Sequence, residues 1–173
     1  MASSVDRLLK LPFVFAVADV IRLGLAQGDE HTFLARAVKS ERIASAGFKS
    51  GIYFNLLRDP NARARVLEAA RLAYPSAVVV GAAVLHAHGW TTQVPHTTDL
   101  AVMKRRSRRP IRGIHFVERK ADWYRQHAND ILAPGESGFE LHALTPAAAL
   151  ADAKANGDLW VPDADDIDAH IDA

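Results

Sequence analysis

Gly24 and the pair Gly28-Asp29 break the first 56 residues between two apolar-striped segments, and a small-residue stretch around Gly47 then separates two runs of strand formers. Val17–Leu23 carries Val17, Val20 and Ile21 in helical register, with Leu25 just beyond. Gly24 supplies the turn, because glycine enters left-handed geometry without a steric penalty. Asp29 is placed to cap the next helix, Glu30–Ser40, by accepting from its orphaned amides. Phe33, Leu34, Ala37 and Val38 form the apolar stripe of that helix; Thr32, Ala35, Arg36 and Lys39 form the other face, which carries no acid. Arg42-Ile43-Ala44-Ser45 and Ser50-Gly51-Ile52-Tyr53-Phe54 flank Gly47 and predict a β-hairpin. Ahead of all this, Ser4–Leu11 is expected as a short helix with Val5, Leu8 and Leu9 on one side, stopped or bent at Pro12, and Phe13–Phe15 as a short extended piece.

Two short helices joined by a glycine turn and followed by a hairpin describe a winged helix-turn-helix. Such a unit presents its second helix to the major groove of DNA, where polar side chains reach base edges. On that expectation Thr32 and Arg36 contact bases, Lys39, Arg42 and Lys49 contact phosphates, and His31 serves either purpose. The plainer alternative is a small helical domain with a solvated basic face, or a protein-binding module, in which Arg36 pairs with Glu30 or Glu41.

Asn55–Ala62 reads as a linker, with turn chemistry at Asp59-Pro60-Asn61, so the expected domains are 1–56 and 62–173. The second is mixed. A helix spans Arg63–Ala73; a strand at Ala77–Val80 precedes Gly81 and a helix over Ala82–His88. Strands over Asp99–Lys104 and Ile111–Glu118 flank a basic turn, and another strand covers Phe139–Leu144. Thr145-Pro146 opens a helix running to about Ala155, and an acidic helix, Ala164–Ile171, follows. The fold class is therefore α+β: an N-terminal winged helix-turn-helix followed by a small mixed α+β domain.

Charge is unevenly placed although the formal net charge is +1. Residues 104–125 are basic and 152–172 acidic. Lys104, Arg105, Arg106, Arg108 and Arg109, with Arg112 beyond, form either a solvated hairpin turn or a second phosphate-binding surface whose affinity falls steeply with salt. The acids from Asp152 through Asp172 form a soluble face or dock a basic partner. The chain has no cysteine, which removes disulfides, thiolate-bound zinc and thiol catalysis and fits a cytoplasmic location. No apolar run nears the roughly 20 residues of a spanning helix, so no membrane partner is expected. Leu11–Ala18 after Arg7 and Lys10 has the outline of a leader, but Asp6 and Asp19 argue against one.

Asp99, Glu118 and Lys120 echo the acid–acid–x–lysine spacing of metal-dependent nucleases. His86 and His88 sit two apart, a spacing that points them to different helix faces and makes a poor metal pair. With no glycine-rich phosphate loop and no nucleophile motif, the expectation is no enzyme, no catalytic residue, no metal and no cofactor.

The stretches Phe15-Ala16-Val17-Ala18-Asp19-Val20, Leu34-Ala35-Arg36-Ala37-Val38-Lys39, Arg42-Ile43 and Gly51-Ile52-Tyr53 resemble the N-terminal domain of AbiEi-type antitoxins. In the second domain, Ala83-Val84-Leu85-His86-Ala87-His88-Gly89-Trp90-Thr91-Thr92-Gln93-Val94-Pro95 is similar to that family's most recognisable segment. So are Leu144-Thr145-Pro146-Ala147-Ala148-Ala149-Leu150-Ala151-Asp152 and Trp160-Val161-Pro162-Asp163. The resemblance implies a winged-helix domain joined to an α+β antitoxin domain, encoded beside a nucleotidyltransferase-like toxin. It implies repression of the chain's own operon through inverted repeats in promoter DNA, and a type IV toxin–antitoxin arrangement, in which the toxin is countered without a stable complex. The readings that remain open are this repressor, a protein-binding antitoxin that neutralises its toxin by direct contact through the acidic tail, and a nuclease.

Overall fold

In the computed structural model, which describes residues 3–26, 28–103 and 109–156, Ser3 starts the first helix, α1 (Ser4–Leu8), by a reciprocal cap. Its hydroxyl accepts from the Asp6 amide at 3.1 Å, and Asp6 accepts from the Ser3 amide at 3.0 Å. The helix ends at Leu8 rather than at Leu11, so Leu8 and Leu11 both turn into the core while Leu9 stays exposed. Strand β1 (Val14–Ala16) leads directly into α2 (Val17–Arg22), whose start is held by the Asp19 carboxylate accepting from the Ala16 amide. Gly24 closes that helix in left-handed geometry at φ 61°. Asp29 then caps α3 (Glu30–Lys39), accepting from the Thr32 amide at 3.1 Å.

Strands β2 (Ile43–Ser45) and β3 (Ile52–Asn55) form the expected antiparallel hairpin. β1 adds to the far side of β3, again antiparallel, giving the order β1-β3-β2 with Phe15 opposite Tyr53. The two rings stack at 5.7 Å. Leu8, Leu11, Phe15, Val20, Leu25, Leu34, Ala37 and Ile43 make one cluster beneath them. Val38, expected in the apolar stripe of α3, is instead 38% exposed.

The segment after β3 is not a linker. Asn55 is buried at the strand's end, and its side chain donates to the Leu8 and Leu11 carbonyls. Arg58 and Arg65 lie over the Phe13 ring at 5.1 and 4.3 Å. After a 3-10 turn at Ala62–Ala64, α4 (Val66–Ala73) packs on β1 and β3. The chain accordingly divides later than the expected 56/62 boundary, since α4 has its partners in the first sheet. The described residues of the first unit lie within 1–73 and 107–112, those of the second within 74–106 and 113–173.

The second unit is built on a five-stranded sheet in the order β6-β5-β4-β8-β7, comprising β4 (Val78–Val80), β5 (Thr98–Met103), β6 (Ile114–Arg119), β7 (Ile131–Leu132) and β8 (His142–Leu144). β4 is buried throughout and is flanked by β5 antiparallel and β8 parallel. Helices α5 (Ala82–Ala87) and α7 (Pro146–Asn156) pack on each other and against β4. α6 (Ala121–Gln126) and β7, neither anticipated from the sequence, complete the unit.

The strands around the basic segment are parallel, with Thr98 opposite Ile114 and Met103 opposite Arg119, so they are not arms of a hairpin. A parallel pair needs a connection that travels back along the strand, and residues 109–112 of this connection belong to the first unit. Asp152, read as part of a soluble acidic face, is 5% exposed. It accepts from Trp123 Nε1 at 2.6 Å and from Arg119 Nη2 at 3.0 Å.

Candidate nucleic-acid interface

Helix periodicity and the burial of Leu34 and Ala37 set the orientation of α3. Thr32, Ala35, Arg36 and Lys39 fall on the side away from these two, and His31 on the adjoining flank. His31, Arg36 and Lys39 are exposed, while Thr32 is half-buried. Glu30, the acid in the first turn, is half-buried on the inward side. Arg36 forms no ion pair with Glu30 or Glu41. The Thr32 backbone amide, assisted by its side chain, holds the Asp29 carboxyl below the usual carboxylate range, so the cap is ionised at neutral pH.

The helix ends where Glu41 adopts left-handed geometry at φ 55°, letting the Arg42 amide return to the Ala37 carbonyl. This turn sends the Arg42 side chain back toward α1, where its Nη1 donates to Ser4 Oγ at 2.7 Å. Arg42, expected as a phosphate contact, is half-buried with its Nη1 engaged by Ser4. Thr32, Arg36 and Arg42 line one cleft with Arg7 of α1, a cation sequence reasoning passed over. Its signal was a helical position between Val5 and Leu8 that places it beside the core.

The link between β2 and β3 carries Lys49, exposed and in left-handed geometry at φ 52°, with its ammonium 5.1 Å from the Phe48 ring centre. Phe48 is 78% exposed, the most exposed large apolar side chain among the described residues. The tip is braced from behind: the Arg112 amide donates to the Ala46 carbonyl at 2.9 Å, and a Cβ on Gly47 would lie 1.9 Å from the Pro110 carbonyl oxygen. Arg109 is exposed on the same segment. Lys104, Arg105, Arg106 and Arg108 lie outside the described residues, as do the acidic helix over 164–171 and the Trp160–Asp163 stretch.

Asp99 and Glu118 do not converge. Asp99 stands opposite His115, with His115 Nδ1 2.8 Å from its carboxylate, whereas Glu118 stands opposite Val102. An odd separation along the strand places the two acids on opposite faces of the sheet. Among the described residues no group of three acids, histidines or cysteines is placed to hold a metal ion, and no helix is long and apolar enough to cross a membrane.

No protein-family model matches the chain, and no curated protein matches it.

Proposed function

We propose that the first unit is a winged helix-turn-helix that binds double-stranded DNA, with α3 in the major groove and the β2–β3 tip against the flanking backbone. The element order α1-β1-α2-α3-β2-β3, with the sheet closed as β1-β3-β2, supports this reading. The observation that carries it is the outer face of α3, where Thr32, Arg36 and Lys39 stand together without an acid. Arg36 has no ion-pair partner to surrender among the described residues, so its guanidinium is available for a bidentate base contact. Lys39 and Lys49 supply point charges for phosphate. The biological role we propose, a cytoplasmic autorepressing antitoxin acting on inverted repeats in its own promoter beside a nucleotidyltransferase-like toxin, follows from the resemblance to AbiEi-type antitoxins. It requires occupancy of DNA and no chemistry.

The test is fluorescence anisotropy on the chain's own upstream DNA and on a scrambled duplex across a salt series. The native duplex is expected to bind more tightly, and Arg36→Ala to remove about 1–3 kcal/mol of that preference. Equal binding of the two duplexes, unmoved by Arg36→Ala, rejects the reading.

A further inference from the structure

Within the first unit, α1 and α3 enclose a cleft of about 470 Å3, in the size range of small-molecule sites. Three guanidiniums line it: Arg7, Arg36 and Arg42. Two are fixed in advance. Arg7 Nη1 donates to the Leu25 carbonyl at 2.8 Å with its guanidinium 5.0 Å over the Phe33 ring, and Arg42 is held by Ser4. Each fork has five N–H donors and uses only part of them. Arg7 Nε is buried with no hydrogen-bond partner among the described residues. Among the described residues no carboxylate forms an ion pair with any of the three; Asp29, the acid that lines the cleft, caps α3 and carries its charge there. Phe33, with Leu8 behind it, gives the cleft an apolar wall.

From this arrangement we infer that the cleft is a binding site for a small phosphomonoester with an apolar or aromatic body. Three cations lining one cleft against the single carboxylate of Asp29 suit a compact dianion, and pinned guanidiniums lose little freedom on binding. Arg7 and Arg42 are half-buried beside α1, set back from the outer face of α3, which suits a small molecule better than the broad backbone of a duplex. Thr32 and Arg36 belong to both surfaces, so an occupied cleft draws Arg36 away from DNA and releases the promoter. That consequence rests on the DNA-binding reading above; the site itself does not.

Calorimetry on the whole chain at constant ionic strength tests the site with phenyl phosphate, inorganic phosphate and benzyl alcohol. Saturable one-to-one binding of phenyl phosphate is expected, weaker binding of inorganic phosphate, and none of benzyl alcohol. Arg42→Gln and Arg36→Gln should each weaken phenyl phosphate about tenfold, the loss of one charge-assisted contact. Arg36 is exposed, so its variant keeps the fold and an unchanged Tm even if Arg42→Gln loosens α1. Failure of the folded protein to bind phenyl phosphate, or binding that Arg36→Gln leaves unchanged, overturns the site. If duplex DNA alone engages the cleft, the small-molecule assignment falls as well. In a separate arm phenyl phosphate should displace promoter DNA where equal ionic strength of KCl does not. A ligand that binds without displacing DNA removes the competition, whereas a protein that binds phenyl phosphate but no DNA removes the DNA-binding reading and leaves the site standing.

Discussion

Asn55 donates its side-chain amide to the carbonyl oxygen of Leu8 at 2.8 Å, across 47 positions of sequence. The last carbonyls of a helix have no partner inside it, and α1 is too short to spare them to solvent when Leu8 is fully buried. Asn55, fully buried itself, serves Leu8 and also Leu11 at 3.2 Å, tying the end of the first helix to the middle strand of the sheet. Asn55→Ala is expected to lower unfolding stability by about 1–2 kcal/mol: it removes two buried hydrogen bonds, while the Leu11 amide still serves the Leu8 carbonyl and Arg58 still serves that of Leu11. Urea denaturation measures this; a loss below about 0.5 kcal/mol contradicts the account.

Lys39 and Lys49 should act alike on DNA and unlike Arg36. Lys39→Ala and Lys49→Ala are each expected to weaken native and scrambled duplexes equally. Each should also lower the slope of log affinity against log salt by about 0.9, one phosphate contact. A selective loss on the native duplex would make either lysine a base reader instead.

Gly47 approaches the backbone of Pro110 so closely that no side chain fits between them. In Gly47→Ala the 109–112 segment must move, and the Arg112 amide loses its bond to Ala46. Hydrogen exchange at the Arg112 amide should accelerate at least tenfold while Leu34 and Ala37 in α3 stay protected. Unchanged protection at Arg112 would show that the close approach is not maintained in solution.

Asp152 and Arg119 form a buried pair, with side chains 4% and 11% exposed. Asp152→Ala takes away the buried acceptor that Trp123 Nε1 and Arg119 Nη2 share and should cost about 1–3 kcal/mol. Asp152→Asn keeps an acceptor for Trp123 and should cost less. Thermal unfolding of the two variants compares them directly; equal costs would mean that the charge on Asp152 is immaterial.

Much of the first unit was legible because its signals are local. Gly24 and Asp29 bound α2 and α3, the 3.6-residue period of α3 separates Leu34 and Ala37 from Arg36 and Lys39, and Gly47 separates two strand-forming runs. Each depends on residues within a few positions of one another. The start of α7 at Thr145-Pro146 was readable for the same reason.

What the tertiary structure decided is pairing over distance. Phe13–Phe15 reads as a short extended piece, but only the finished sheet gives β1 its place beside β3. The runs before and after the arginines look like a hairpin, since an apolar run has the same composition whether its neighbour lies parallel or antiparallel. Burial of Asp152 depends on Trp123 and Arg119 from a helix and a strand the local pattern does not connect to it. The cleft arises the same way: Arg7, Arg36 and Arg42 are separate cations in the sequence, and the fold brings all three to the lining of one cleft. Local chemistry selects the elements and their faces, whereas the long-range burial of apolar surface selects which faces meet.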